Sequence, residues 1–205
     1  MVVNKASGEK EKIARPGIVH RLDKETSGAM IIVKNQKTFL FLKNQFKNHQ
    51  IQKIYQAFVY GYVKEPAASL ASGKHGVINT PIGRSPTDIR RWTAGRGARE
   101  PRREAVTEYK VLKRFHLTPL PPQDFSYLEL YPKTGRTHQI RVHLRYINHP
   151  IVSDWLYAGN KEKTLGFGRT ALHARSITFF LPNGQKKTIE APYPEDFQKA
   201  MKKYL

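Results

Sequence analysis

Lys53-Ile54-Tyr55-Gln56-Ala57-Phe58-Val59-Tyr60-Gly61 is a run of aromatic and β-branched residues without proline, and it predicts a strand over Lys53–Val63. Strand alternation assigns Tyr55, Ala57 and Val59 to one face and Ile54, Gln56 and Phe58 to the other. Outward from this strand, Ala29–Val33, Ala105–Phe115 and Phe125–Tyr131 read as further strands. Ala174–Leu181 and Lys186–Glu190 form a predicted hairpin closed through Pro182-Asn183-Gly184-Gln185, because Asn-Gly favours a tight turn. Helices are fewer. Gln36–His49 places Phe39, Leu42 and Phe46 on one face, with Lys37, Lys43 and Lys47 outward. Thr137–Ile147 and Pro194–Tyr204 are the other two predicted helices. Met1–Lys5 reads as the remnant of a strand, and Gly8–Arg15 as a charged, mobile segment. Residues 66–103, dense in glycine and proline, form the least regular stretch. Strands without regular βαβ alternation predict an α+β fold around a mixed, mostly antiparallel β-sheet with flanking helices. With no repeat and no linker, residues 1–205 are expected to be one domain.

Composition narrows the chemistry. The 205 residues carry 36 Lys+Arg against 16 Asp+Glu, a formal charge of +20, so a polyanion is the expected partner. A hydrophobic fraction of 39% with 10 Tyr, 10 Phe and 2 Trp excludes a disordered basic tail. Zero cysteine excludes disulfides, thiolate zinc sites and a cysteine nucleophile. Ala29–Val33 is too short to span a bilayer, and residues 1–20 lack the apolar stretch of a signal peptide. A cytoplasmic, reducing compartment and no membrane partner are expected.

Two clusters carry candidate chemistry. Asp23, one of five aspartates, sits in His20-Arg21-Leu22-Asp23-Lys24-Glu25-Thr26-Ser27-Gly28. A loop aspartate often just closes an Asx-turn, yet a carboxylate is out of place on a polyanion-binding face. The second cluster is Lys133-Thr134-Gly135-Arg136-Thr137-His138-Gln139-Ile140-Arg141-Val142-His143-Leu144-Arg145. At about 100° per residue, His138, Arg141 and Arg145 share one sector of the predicted helix, opposite Ile140, Leu144 and Ile147. This predicts a cationic face, with Arg136 and the first-turn N–H groups placed for an anion. An ordinary amphipathic helix would show the same pattern. A single arginine reaching Asp23 would join the two clusters into one site. Tyr55 suits either base stacking or proton chemistry, though core tyrosines are commoner.

Arg84, Arg90, Arg91, Arg96, Arg99, Arg102 and Arg103 lie in one stretch without lysine. Guanidinium forks match phosphate oxygens, so these arginines, with Lys53 and Arg145, are candidate contacts to the phosphates of a polyanion. A solvated surface would carry the same charges. The histidines at 20, 138, 143 and 173 show no metal-ligand spacing. Gly95-Arg96-Gly97 and Gly166-Phe167-Gly168 match no phosphate-loop or dinucleotide fingerprint. No metal and no nucleotide cofactor are expected.

Three of these blocks, His20–Gly28, Lys53–Gly61 and Thr134–Leu144, closely resemble the motifs of RluA-type pseudouridine synthases, in the same order. The resemblance runs over Gly17–Pro192 and includes Ala105–Tyr109, His149–Val152 and Leu172–Ala174. It implies a cofactor-independent enzyme that isomerises uridines of ribosomal or transfer RNA to pseudouridine, on an α+β fold with a central catalytic cleft. By position, Asp23 matches the essential aspartate, Arg141 the arginine that pairs with it and Tyr55 the active-site tyrosine. Arg21 matches the arginine that fills the space left by the flipped base. Candidate substrate contacts are then Arg21, Leu22, Arg136, His138 and Leu172. The chemistry requires an everted base, at a cost of about a few kcal/mol, which phosphate contacts help offset. An ionised Asp23 would attack C1′ or take the 2′ proton, and both courses stay open. Only 19 residues precede the His-Arg-Leu-Asp block, and the reading includes no S4-type RNA-binding domain.

Two other readings compete. A catalytically silent RNA-binding or ribosome-assembly protein would share the charge but would not need Asp23, Tyr55 and Arg141 together. A nuclease using His138 and His143 is disfavoured, since five residues on a helix separate side chains by about 140°. A monomer is the default.

Overall fold

The strand that opened the sequence reading runs as Gln52–Tyr60 through the interior of a seven-stranded sheet. The computed structural model describes residues 17–64, 75–117, 123–161 and 164–205, with the backbone of Val2–Val3 and Lys10–Glu11. In chain order the strands are β1 (Val2–Val3), β2 (Lys10–Glu11), β3 (Ser27–Gly28), β4 (Gln52–Tyr60), β5 (Gly76–Asn79), β6 (Ile82–Arg84), β7 (Trp92–Ala94), β8 (Val106–Leu117), β9 (Gln123–Pro132), β10 (Leu172–Phe180) and β11 (Lys186–Glu190). The helices are α1 (Gln36–Lys47), α2 (Gln139–Tyr146) and α3 (Glu195–Tyr204). The main sheet is ordered β11-β10-β4-β9-β8-β5, every neighbouring pair antiparallel. β3 adds to β10 in parallel. The mixed, mostly antiparallel α+β architecture is therefore the one the strand pattern predicts. No helix among the described residues is long and apolar enough to cross a membrane.

The alternation in β4 explains its central place. On one face Gln56 accepts hydrogen bonds from the hydroxyls of Tyr127 and Tyr193, while Phe58 packs on Tyr127, Phe167 and Phe197 of α3. On the other face Tyr55 lines a cleft beside Ile140 of α2. Beyond the first residue of β10, Leu172, which pairs with Ala57, the segment 150–152 continues alongside β4: Tyr60 N–H donates to the Pro150 carbonyl and Val152 N–H to the Phe58 carbonyl, with a bridge between Val59 and Ile151. The β10–β11 hairpin closes at Asn183-Gly184 as predicted, with Gly184 at φ 82° and Asn183 Oδ1 accepting from Gln185.

Three expectations need correction. Ala29–Val33 is not a ladder strand; it makes one bridge, Ile32 to Ile18, and Ile32 is exposed. The pairing edge of β10 is taken instead by Ser27–Gly28. Gly28 sits at φ +125° so close to β10 that a Cβ there would lie 2.2 Å from the Ala174 carbonyl oxygen, a position only glycine fits. Second, the stretch 66–103 is more regular than predicted. β5 joins the main sheet, and β6 pairs with β7 over a small core of Ile82, Ala94, Ala105, Val142, Leu156 and Tyr157; residues 66–74 lie outside the described residues. Third, in the segment read as mobile, Lys10–Glu11 pairs with Val2–Val3, while the rest of Gly8–Arg15 lies outside the described residues.

Helix α1 buries Phe39 and Leu42 and caps its N-terminus with Asn35, whose side chain accepts from Thr38 N–H. Phe46, at the end of the apolar face, stacks on His20 at 5.1 Å. His20 Nε2 accepts from Ile31 N–H at 2.9 Å, a role open only to a bare nitrogen. Burial, reinforced by nearby Lys53, lowers the His20 pKa from 6.5 to about 4. Between these values the unfolded chain binds a proton that the folded chain refuses, so acid favours unfolding. Urea-denaturation midpoints should fall as pH drops from about 6.5 to about 4. A His20→Gln variant should lose part of that dependence, and an unchanged pH profile would refute it.

Candidate active site

The loop bearing Asp23 is fastened to the far end of the chain. Its turn closes through Thr26 N–H to the Asp23 carbonyl at 3.0 Å. Arg169 donates to the Glu25 carbonyl and to Ser27 Oγ, and Glu25 Oε2 accepts from the Thr170 N–H and hydroxyl. Asp196 of α3 holds Arg169 in turn, through two charge-assisted contacts of 2.8 and 3.0 Å. The loop therefore presents Asp23 from a fixed frame.

Arg141 comes from α2, and the helix is set by its neighbours. Gln139 is buried and uses its whole amide: Oε1 accepts from Thr134 Oγ1 and Arg136 N–H, and Nε2 donates to the Val106 carbonyl and Thr107 Oγ1. His138 precedes the helix at φ 54°, in the left-handed region. The predicted Thr137–Ile147 helix thus starts at Gln139, and its cationic face does not exist. Arg141 is 8% exposed at its side chain, while Arg145 is exposed and lies outside the cleft. The reason is an internal counter-ion, Asp154, which the sequence reading missed. Arg141 donates Nε to Asp154 Oδ2 at 2.7 Å and Nη2 to Oδ1 at 2.8 Å, and the Asp154 side chain is wholly buried. Asp154 Oδ1 also accepts from the Leu156 and Tyr157 N–H groups. The remaining guanidinium nitrogen, Nη1, reaches Asp23 Oδ2 at 3.3 Å, and the Asp23 side chain is 20% exposed. One guanidinium therefore lies between two carboxylates, and the outer one faces the cleft. A signal for Asp154 was present: a carboxylate closing the apolar run His149-Pro150-Ile151-Val152 needs a buried cation.

The cleft has a volume of ≈ 440 Å³, within the range of small-molecule sites. Asp23, Tyr55, Arg21 and Leu22 line it, as do Lys53, Arg136, His138 and Leu172. A smaller hollow of ≈ 90 Å³, which Asp23 also lines, is bordered by Arg141, His138 and Trp155. Burial, then the charge of Asp23, pushes the Tyr55 hydroxyl up to about 12. Lys53 is lowered from 10.5 to about 8 by burial; its Nζ meets the Thr134 carbonyl at 3.5 Å. Arg136 turns its Nε to the Glu104 carbonyl, and Gln139 occupies its N–H, so part of the expected anion cradle is filled from within. His143 is buried, with Nδ1 at Thr107 Oγ1 and Nε2 at the Thr80 carbonyl. It cannot act with His138, which removes the two-histidine nuclease geometry.

The arginines at 84–103 lie outside both hollows, on the β6–β7 arm. Arg84 stacks on Trp92 at 4.6 Å and donates to the Ile89 carbonyl. Arg90 and Arg91 pair with Asp88, Arg99 donates to the Pro86 carbonyl, and Arg102 pairs with Glu100. Arg96 and Arg103 are exposed without a side-chain partner among the described residues. The arm touches the site through Trp92, whose N–H donates to the Tyr157 hydroxyl, and Tyr157 lies under the Arg141 guanidinium at 4.9 Å. Neither contact is legible in the sequence.

Removing the guanidinium strands a buried charge. Arg141→Ala should cost about 3–5 kcal/mol in urea unfolding, whereas Asp23→Asn, at the cleft surface, should leave stability nearly unchanged. Equal stabilities for Arg141→Ala and the parent would show that Asp154 is not held as an ion.

The family model described as RNA pseudouridylate synthase matches residues 2–146. The uncharacterized RNA pseudouridine synthase YlyB of Bacillus subtilis is 40% identical over 185 residues, covering 90% of this chain and 54% of that protein. The ribosomal large subunit pseudouridine synthase D of Zymomonas mobilis is 35% identical over 196 residues, covering 91% and 55%. The chain thus spans about half the length of the curated relatives it matches. Among solved structures, human RNA pseudouridylate synthase domain containing 1 aligns with a TM-score of 0.71 at 28% identity, over 86% of this chain and 69% of that one. With the matched model covering most of the sequence and the site motifs in place, this chain belongs to the RNA pseudouridylate synthase family.

Proposed function

We propose that this chain isomerises uridine to pseudouridine in structured RNA, with Asp23 as its catalytic carboxylate. The observation that carries the reading is the contact between Asp23 and Arg141 at 3.3 Å, at the wall of a cleft that Tyr55 also lines. The reaction breaks the N1–C1′ bond of uracil, turns the base and forms a C5–C1′ bond, while hydrogen leaves C5 and N1 gains one. No net atoms enter or leave, so the isomerisation consumes no co-substrate. The base must be everted to reach the cleft. Asp23 acts at the sugar, as nucleophile at C1′ or as base at the 2′ carbon. Arg141 fixes its direction, since Asp154 already holds the guanidinium plane.

Of the two roles open to Tyr55, its raised pKa, which keeps the hydroxyl protonated and makes it a weak acid, favours stacking on the base. Lys53, Arg21 and Arg136 supply positive charge around the cleft for the backbone of the everted nucleotide. Ribosomal RNA is the favoured substrate over transfer RNA, because one relative is named for the large ribosomal subunit. On the arm, Arg96 and Arg103 are the arginines free to meet phosphates.

With bulk ribosomal RNA carrying 5-tritiated uridine, the parent chain should release tritium and Asp23→Asn should release none, while RNA binding stays within about twofold. Release by the variant would remove Asp23 from the chemistry and leave an RNA-binding scaffold. Replacing Arg96 and Arg103 together by alanine should reduce the slope of log affinity against log salt by about 2. An unchanged slope would make the arm an ordinary solvated surface.

A further inference from the structure

The donors around one hydroxyl fix the protonation of a cleft residue. Trp92 N–H can only donate, and it does so to Tyr157 Oη at 3.0 Å. The other partner of that oxygen is His138 Nδ1 at 2.8 Å. Were His138 Nδ1 also to donate, the buried Tyr157 O–H would be left without an acceptor, so the arrangement that satisfies every polar hydrogen gives the Tyr157 proton to His138 Nδ1. Burial pushes the Tyr157 hydroxyl up to about 12, so the proton stays in place at neutral pH. Burial also lowers the His138 pKa; Asp23 and Asp154 oppose that shift, and Arg141 and Arg21 add to it. A neutral imidazole whose Nδ1 accepts must carry its hydrogen on Nε2. Nε2 has no hydrogen-bond partner among the described residues, and His138 lines both hollows that Asp23 lines.

We propose that Tyr157 is a positioning residue that locks His138 as an Nε2–H donor, and that this donor reads a carbonyl oxygen of the everted uracil. The proposal rests on the site assignment above. A neutral donor suits the neutral carbonyls on the edge of uracil, whereas the phosphates are matched by the cations Arg21, Arg136 and Lys53. Reading a flipped base through hydrogen bonds to its edge is the general solution for enzymes of this kind. Tyr157 serves the site twice, because its ring also lies under Arg141 while its N–H is held by Asp154. The left-handed backbone of His138 is what swings the imidazole out of the helix and into this position.

Two side-chain isosteres separate the ring nitrogens, since Gln carries its amide nitrogen near the place of Nε2 and Asn near that of Nδ1. On ribosomal RNA carrying 5-tritiated uridine, His138→Gln should retain release within about fivefold of the parent, and His138→Asn should lose at least tenfold. In the Asn variant any loss of RNA affinity should be smaller than the loss of release. Nitrogen-15 spectra of histidine-labelled protein, assigned by loss of the His138 signals in the Gln variant, should show a bare Nδ1 and a protonated Nε2. Tyr157→Phe keeps the ring under Arg141 but removes the hydroxyl, so the spectrum should shift toward mixed tautomers while release drops. A protonated Nδ1 in the parent, or an Asn variant as fast as the parent while Asp23→Asn is silent, would overturn the proposal. Release by Asp23→Asn would instead overturn the site assignment. Transcripts made with 2-thiouridine or 4-thiouridine identify the carbonyl: the one His138 reads is the one whose sulfur substitution abolishes the difference between the Gln and Asn variants.

Discussion

A guanidinium taken out of water must place its donors on matched acceptors, and in this fold Arg141 does so by facing two carboxylates. Asp154 takes the two-pronged edge, which fixes the plane of the group and leaves Nη1 aimed at one point. Asp23 occupies that point. A lysine could not bridge the pair in this way, because a single ammonium has no plane to orient. The inner carboxylate matches the cation's charge, so the outer one is steered by a hydrogen bond without sharing a full counter-charge. This arrangement leaves a carboxylate at the cleft whose direction is set and whose reactivity is not spent on its partner.

The surroundings are built to keep that geometry from drifting. Helix α2 is buried along most of its length, Gln139 saturates its amide against β8 and the turn before the helix, and His143 ties the helix to the segment after β5. On the opposite side Arg169, Glu25 and Asp196 bind the Asp23 loop to both β10 and α3. Arg141 and Arg169, the cations that brace the site, each have a carboxylate partner. Asp154, Asp196 and Glu25 each neutralise a cation or cap a backbone N–H, while Lys53 and Arg21, at the cleft, keep their charge uncompensated among the described residues.

Most of this was legible where local pattern decides structure. Alternation revealed β4, the Asn-Gly turn revealed the last hairpin, and periodicity revealed α1. The motif blocks supplied Asp23, Tyr55 and Arg141; in the structure Asp23 contacts Arg141 and shares a cleft with Tyr55. Helical periodicity failed at α2, because it assumes that charged positions face water; Arg141 points inward to a carboxylate 13 residues later, a pairing that no local rule encodes. The Ala29–Val33 run misled for a related reason. Hydrophobic content marks burial, but the edge of β10 selected the residue with no side chain, Gly28. The β6–β7 arm was hidden by its glycines and prolines, and Tyr157 by its place in an apolar run, since its importance lies in two hydrogen-bonded neighbours distant in sequence, Trp92 and His138.

The parallel pairing of β3 with β10 ties the Asp23 loop to a strand 146 residues further along the chain. During synthesis at about 5–20 residues per second, the loop emerges about 7–30 s before the strand that holds it. For that interval Asp23 has been made but the strand that fixes its loop has not, so the geometry around this carboxylate waits on residues far downstream of it.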